Sequence, residues 1–341
     1  GVGLGLAVWG ILSGFLQGPA WLRAPASALA GFSLGLGLCR GSSFWNPKLM
    51  LTGTYMRPQP PAEVQGSFRE FERWASQGKN LYFRDGTTAT ISVGEAGQDL
   101  LVLQINGKTV ASTEYGDCRN QLLLGHLPAL IWRAVNAGSP SRSLAQPLPR
   151  AVVVGWGTGM TPRALARHPF QVSVFEISPE VLDASRLFER FDSPLRHPSF
   201  INTVLGDARL LLRSVETGSL AVMTSDPIHP FAAGSGNLYT SEYFGSCLRA
   251  LADRGVMCQW VPLYQMPAEG LKSILATFAS VFGRTWMWHV DKDILLVGVK
   301  GEPHFDPLAW KAPWGEDVAA DLRKAGFTDP DSLWDARLGE V

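Results

Sequence analysis

A repeated strand–turn–helix order, beginning near residue 151, constrains the fold more than any other feature of the sequence. Apolar strands run into short turns at "AVVVGWGTG", "QVSVFEIS", "FINTVLGDA" and "SLAVMTSD", and a helical segment follows each one. Parallel strands need a crossover segment, usually a helix, so this order indicates a mostly parallel sheet with helices on both faces. The apolar pair "RTWMWHV" and "DILLVGV" predicts a closing antiparallel hairpin. We therefore predict an α/β fold with a doubly wound sheet.

A smaller β unit precedes this sheet. In "YFRDGTTATISVG" and "DLLVLQINGKTVAST", apolar and polar residues alternate with the period of a strand, and "NGK" at 106–108 is a hairpin turn signal. We predict a connector at 42–80, a small antiparallel β-hairpin domain at 81–116 and the doubly wound domain at 117–300. That domain opens with a helix whose N-cap we expect to be Asp117. A helical tail at 301–341 completes the predicted organisation.

The first 41 residues are strongly apolar. Residues 1–16 carry no charge, and residues 26–39 are apolar again. Each run is shorter than the roughly 20 residues that cross a bilayer, but their Gly and Ala content suits close helix packing in lipid. We predict transmembrane helices at 1–41, the end of a larger membrane domain, with a pair of buried soluble helices as the alternative.

Basic residues follow the second run, and their position after a membrane segment predicts that the rest of the chain lies in the cytoplasm: Arg40, Lys48 and Arg57. The 30 basic and 30 acidic residues balance, so composition does not indicate a nucleic-acid surface. The four cysteines form no CxxC pair, so we expect reduced structural thiols and no metal.

Polar features fall at the carboxyl ends of four predicted strands, where α/β sheets bind ligands. The first is the turn "GWGTG", in which Gly155, Gly157 and Gly159 let the backbone turn tightly beside a ligand. The second is Glu176, placed where an acid can hydrogen-bond ribose hydroxyls, or equally a solvated strand end. This spacing lacks the GxGxxG pattern of NAD sites.

The third feature is Asp207, which with the adjoining Ala208 we assign to the nucleoside site. Its carboxylate can accept a hydrogen bond from an adenine amino group, and the alternative is a helix N-cap. The fourth is Asp226, which ends an apolar strand and opens the loop "DPIHPFAAGSGNLYTSEYF". A glycine turn followed by an acid on each of three successive strands predicts a Rossmann-like sheet of the S-adenosylmethionine type.

These residues resemble spermidine synthase and the other polyamine aminopropyltransferases, and most closely the branch fused to transmembrane helices. The resemblance runs from about residue 81 to 299. It rests on ordered blocks that include "YFRDGTTATISV", "QLLLGHLPAL", "VVVGWGTGMT", "FEISPEVLDASRLF" and "SDPIHPFAAGSGNLYTSEYF". It implies that an amine attacks decarboxylated S-adenosylmethionine and that methylthioadenosine leaves.

The resemblance also assigns roles to residues. Asp226 matches the acid that deprotonates or orients the amine, and the loop after it matches a lid in which Tyr239 lines the amine channel. Gln121 and His126 match positions near the thioether, although a lone helical histidine is more often a core residue. Two family positions differ: His229 stands where an acid grips the amine's far ammonium, and Asn120 stands where a tyrosine orients the amine.

Two further interpretations stay open at this point. A further departure, Thr158 in place of the acid near the aminopropyl ammonium, keeps an S-adenosylmethionine-dependent methyltransferase in view. The changed amine positions keep a non-catalytic nucleoside- or polyamine-sensing domain in view. The resemblance also implies a small-molecule amine as partner and a homodimer.

Overall fold

The computed structural model describes residues 47–53, 64, 66–97, 99–138, 147–191, 201–232, 234–302 and 304–340. The chain divides into two compact units, residues 1–50 and 51–341. In the first unit the described part is helix α1, Pro47–Met50. The predicted transmembrane helices at 1–41 lie outside the described residues. Among the helices that are described, none is both long and apolar enough to span a bilayer.

The second unit begins with a short helix and a four-stranded antiparallel sheet of order β1-β2-β3-β4. These elements are α2 Phe68–Ala75, β1 Lys79–Asp85, β2 Thr90–Glu95, β3 Leu101–Ile105 and β4 Lys108–Ser112. The turn between β3 and β4 has positive φ at Asn106 (51°) and Gly107 (77°), the backbone that an Asn-Gly turn adopts. The predicted small antiparallel unit is confirmed.

An eight-stranded mixed sheet follows, in the order β12-β10-β11-β9-β8-β5-β6-β7. Its strands are β5 Arg150–Val154, β6 Gln171–Glu176, β7 Ile201–Leu205, β8 Leu220–Ser225, β9 Leu251–Pro262, β10 Thr285–Val290, β11 Asp293–Val299 and β12 Arg337–Glu340. Strands β5 to β9 pair in parallel, and β10 and β11 close the sheet as an antiparallel pair. The chain reverses its winding direction between β5 and β8, where such sheets bind ligands.

Helices cover both faces of this sheet. They are α3 Tyr115–Val135, α4 Met160–Leu165, α5 Pro179–Ser185, α6 Ala208–Arg213, α7 Ser241–Ala250, α8 Ala268–Phe282, α9 Pro307–Lys311, α10 Glu316–Lys324 and α11 Pro330–Asp335. Short 3₁₀ turns occupy Arg186–Phe191 and Ser235–Leu238. The C-terminal segment is not purely helical, because β12 joins the sheet edge beside β10.

Helix α3 is the central helix of one face. Its residues from Asn120 to Ile131 are buried, and its leucines pack in one cluster with β9 to β11 and the C-terminal helices. Gly125 allows α4 to approach, since a Cβ there would lie 2.5 Å from that of Ala164. The N-cap lies three residues before the predicted one: it is Glu114, and Asp117 lies in the first turn.

Candidate active site

A cavity of about 1040 Å³ opens at the carboxyl ends of β5 to β8. Its lining falls into two groups. We call the first the glycine end, consisting of Gly155, Gly157, Glu176, Asp207 and Ala208. We call the second the acidic end, consisting of Asp117, Asn120, Asp226, His229 and Asp293. The fold thus brings the predicted strand-end features into one space.

The glycine turn shapes the floor of the glycine end. Gly155 has φ +92° and Gly157 has φ +57°, a left-handed backbone that favours glycine. A Cβ on Gly155 would lie 3.1 Å from the carbonyl oxygen of Asp226, so this turn also lets β8 end close to it. Gly159 has φ +88° and serves as the N-cap of α4, but it is not among the described residues that line the cavity.

Glu176 is buried at the end of β6, and both its carboxylate oxygens are fixed by backbone donors. The N–H of Trp156 donates to Oε2 at 2.8 Å, and the N–H of Ser178 donates to Oε1 at 2.8 Å. Burial raises the pKa of Glu176, and these hydrogen bonds oppose that rise. The carboxylate therefore faces the cavity in one orientation, with lone pairs left for hydroxyl donors.

Asp207 performs the capping role that was the alternative in the sequence. Its Oδ1 accepts from the N–H of Arg209 at 2.9 Å, and its Oδ2 pairs with the Arg209 guanidinium at 2.6 Å. These bonds, led by that to the guanidinium, lower the pKa of Asp207. Asp207 and the buried Ala208 also line the cavity, so capping and ligand binding are compatible. The adenine contact stays a prediction.

Asp226 lies half-buried directly after β8. Its N–H donates to the Val154 carbonyl at 3.1 Å, which holds the residue against the end of β5. Burial raises the pKa of Asp226 to about 7, with further increases from the nearby charges of Asp293 and Asp117. A carboxyl that titrates near neutrality can exchange a proton with a bound group.

Two acids of the acidic end were not singled out as ligands from the sequence. Asp293 begins β11 and is 7% exposed; its Oδ2 accepts from the side-chain amide of Asn120. Asp117, in the first turn of α3, is near enough to raise the pKa of both Asp226 and Asp293. Asn120 lines the acidic end, where its side chain bonds an acid. Its contact with the amine stays a prediction.

His229 is fully buried and lines the acidic end. Its Nε2 faces the Tyr264 carbonyl at 3.1 Å. Burial lowers the pKa of His229, so its neutral form is favoured at pH 7 and it offers no charge to an ammonium.

Tyr239 is buried near Asp226 but is not among the described cavity-lining residues. Its neighbour Tyr243 is a core residue whose hydroxyl donates to Ser225 Oγ at 3.0 Å. The catalytic role of Tyr239 stays a prediction.

Gln121 lines the cavity and is held rigidly. Its Nε2 donates to the Asp117 carbonyl at 3.1 Å, and its Oε1 accepts from the Thr158 hydroxyl. Thr158 is buried, and its hydroxyl is used in this bond. Thr158, which stands where the resemblance places an acid, therefore orients Gln121.

His126 is the one predicted substrate-binding residue that the structure moves away from the cavity. It is fully buried, with Nδ1 3.0 Å from His168 Nε2 and Nε2 3.3 Å from Asp321 Oδ2. Asp321 also pairs with Arg167. This network joins α3 and the turn after α4 to the C-terminal helix α10. His126 therefore takes the core position that was the alternative in the sequence, and its contact with the thioether end stays a prediction.

Comparison with known proteins agrees with this architecture. Residues 140–288 match the model of the spermine/spermidine synthase domain. The chain is 29% identical over 130 residues to a polyamine aminopropyltransferase of Clostridium perfringens, covering 36% of this chain and 44% of that protein. It is 27% identical over 219 residues to the polyamine aminopropyltransferase of Nitrosomonas europaea, covering 60% and 61%.

Solved structures show the same fold. A crystal structure of spermidine synthase in complex with the transition-state analogue AdoDATO matches with a TM-score of 0.55 at 18% identity, covering 73% of this chain and 85% of that one. The spermidine synthase of Thermotoga maritima matches with a TM-score of 0.54 at 17% identity, covering 73% and 84%. The doubly wound domain is thus similar in sequence to the spermine/spermidine synthase domain and to polyamine aminopropyltransferases. The aligned part spans less than half the length of the Clostridium relative.

Proposed function

We propose that this protein is a polyamine aminopropyltransferase of the spermidine synthase type. It transfers an aminopropyl group from decarboxylated S-adenosylmethionine to an amine such as putrescine and releases methylthioadenosine. The glycine end takes the nucleoside, with Glu176 on the ribose hydroxyls and Asp207 on the adenine. The acidic end takes the amine.

The observation that supports this most directly is the position of Asp226. Asp226 lines the cavity, and its backbone carbonyl lies beside Gly155 of the glycine turn, so the residue connects the acidic end to the glycine end. An alkylamine has a pKa near that of Lys, about 10.4, so it arrives protonated at pH 7. A base at this junction can act on the amine that faces the sulfonium.

The reaction is then a single displacement. Asp226 accepts one proton from the ammonium, and the freed nitrogen lone pair attacks the methylene next to sulfur. A carbon–nitrogen bond forms, the carbon–sulfur bond breaks, and its electron pair stays on sulfur as methylthioadenosine leaves. The protein's contribution is to hold the reactants in line and to shift the proton.

Calorimetric binding to the full chain tests the donor. Methylthioadenosine, decarboxylated S-adenosylmethionine and S-adenosylmethionine are titrated separately. Preference for the first two supports aminopropyl transfer. Preference for intact S-adenosylmethionine would overturn the proposal in favour of a methyltransferase, the alternative that Thr158 keeps open because it brings no carboxylate to the aminopropyl ammonium. Failure of all three to bind would contradict both enzymes.

We also propose that residues 1–41 anchor the protein in a membrane and that its catalytic domain faces the cytoplasm. The support is the composition of the two apolar runs and the basic residues after them. Fractionation of cells that express the full chain tests this, because an anchored protein stays with membranes after an alkaline carbonate wash. Complete release into the wash would contradict it.

A further inference from the structure

The acidic end lacks a carboxylate at the position where the spermidine synthase family binds the far ammonium of the amine. His229 occupies the place of the family acid that holds the amine's far ammonium, and it is buried with Nε2 facing a carbonyl. Because burial favours its neutral form, a second positive charge on an amine would find no opposite charge there. It would find only the neutral Nδ1 of His229, which has no hydrogen-bond partner among the described residues.

Asp293 supplies a carboxylate elsewhere in the same space. It lies at the first position of β11, opposite Pro262 at the end of β9, and so reaches the carboxyl edge of the sheet from the antiparallel side. It lines the cavity and is 7% exposed. Its Oδ1 has no hydrogen-bond partner among the residues that the structure describes. A buried carboxylate oxygen with no donor is costly unless a ligand supplies one.

The protein groups around Asp293 leave its charge only partly compensated. Asn120 donates a neutral amide hydrogen bond to Oδ2. Asp117 and Asp291 add negative charge nearby, and burial together with these acids raises the pKa of Asp293 to about 7, although the neighbouring side chains of Trp260 and Asn120 oppose the rise.

Two lysines line the cavity near Asp293, and neither forms an ion pair with it among the described residues. Lys292 is exposed. Lys108 feels the charges of Asp293 and Asp117, but its ammonium lies over the Tyr264 ring, 5.6 Å from the centroid. Burial lowers its pKa more than these acids raise it. The acidic end therefore has room for one more cation.

We propose that Asp293 is the anchor for the far ammonium of a diamine acceptor, taking the place of the acid that His229 replaces. Asp226 then acts on the near nitrogen, and Asn120 holds the Asp293 carboxylate in position. This inference rests on the proposed function, since it names the acceptor class of the same site. An ammonium anchor at Asp293 makes the protein selective for diamines over monoamines of equal length.

The test compares 1,4-diaminobutane with n-butylamine, binding each by calorimetry to the full chain saturated with methylthioadenosine. The two amines differ only in the second nitrogen, so their affinity ratio isolates the anchor. We expect wild type to prefer the diamine by at least about tenfold, the scale of one charge-assisted hydrogen bond. In Asp293→Asn, which keeps the shape and the bond with Asn120, the ratio falls to within about twofold.

Asp253→Asn is the matched control, because it removes the same charge from an exposed position of β9 outside the cavity lining. It keeps the wild-type ratio. Unchanged methylthioadenosine affinity in Asp293→Asn shows that the variant is folded. Equal binding of the two amines by wild type would contradict the proposed role of Asp293. Retention of the diamine preference in Asp293→Asn would contradict it as well.

A turnover assay separates this inference from the proposed function. If wild type forms methylthioadenosine from decarboxylated S-adenosylmethionine but shows no dependence on Asp293, the function stands and the anchor fails. If diamine preference depends on Asp293 but no amine gives turnover, the anchor stands and the enzymatic proposal fails.

Discussion

The glycine end and the acidic end share one cavity but treat their carboxylates in opposite ways. At the glycine end, backbone N–H groups bond both oxygens of Glu176, and Arg209 neutralises Asp207. At the acidic end, Asp226 and Asp293 both have their pKa raised to about 7 by burial and by neighbouring acids. The first arrangement suits a neutral ligand with hydroxyl and amino groups. The carboxylates of the acidic end are stabilised when they bind a proton or a cationic ligand.

The largest expected effect separates the two ends by function. Asp226→Asn should lower turnover by about a thousandfold, within the range for loss of a general base, while methylthioadenosine affinity changes by no more than about twofold. Steady-state rates and calorimetry on the same preparation measure both. Asp253→Asn, which removes an exposed acid, serves as the control. A parallel loss of turnover and nucleoside affinity would show that the ends are not independent.

The second effect tests the reassignment of His126 to the core. Asp321→Asn removes the buried partner of Arg167 and His126. Breaking a buried ion pair on one side costs about 3 kcal/mol of unfolding free energy. Urea denaturation measures this loss, and amine affinity should not change.

Glu269→Gln is the matched variant for that experiment, since it breaks the exposed pair with Lys272. It should cost under about 1 kcal/mol. Weaker amine binding in Asp321→Asn at temperatures where it stays folded would return His126 to the site.

The third effect concerns stability and pH. Asp226 has a folded pKa of about 7, above its ordinary value of 3.8. The folded protein therefore binds more protons than the unfolded chain between these values, and its stability falls as pH rises through this window. Asp293 and Asp117 face Asp226 and add to the effect.

Asp226→Asn removes the carboxyl group whose ionisation lowers the stability of the folded protein. Relative to wild type, the variant should gain about 4 kcal/mol of unfolding free energy on going from pH 4 to pH 8. Denaturant midpoints across this range provide the measurement. A difference between variant and wild type that does not vary with pH would show that folding leaves the pKa of Asp226 at its ordinary value.

The smallest effect concerns the glycine end. Asp207→Ala should weaken methylthioadenosine binding by about fivefold, because Arg209 already shares the carboxylate. Asp306→Ala removes a similar N-cap from α9, outside the cavity lining. Both variants should lose about 1 kcal/mol of stability, but only the first should lose affinity. Equal affinities would make Asp207 a cap alone.

The parts of the site that follow from local sequence were predictable. The strand–turn–helix order places the glycine turn, Glu176, Asp207 and Asp226 at one edge, since parallel strands end together. Asp293 was missed because it is the first residue of an antiparallel strand, and that strand begins at the edge where the parallel strands end. The predicted hairpin of β10 and β11 carried the signal, because its turn lies at the same edge.

His126 shows a different limit. Helical spacing gives the face on which a side chain lies only when the packing on both sides is known, and α3 is buried along much of its length. The partner that holds His126 is Asp321, 195 positions further along the chain. The transmembrane helices at 1–41 and the homodimer stay predictions.

The most direct measurement of the central claim is product formation by the full-length wild-type protein with decarboxylated S-adenosylmethionine and 1,4-diaminobutane. Methylthioadenosine and the aminopropylated diamine are quantified together. The account predicts equal amounts of both, dependent on the amine and lost in Asp226→Asn. Nucleoside binding without either product, in wild type as in Asp226→Asn, would contradict it.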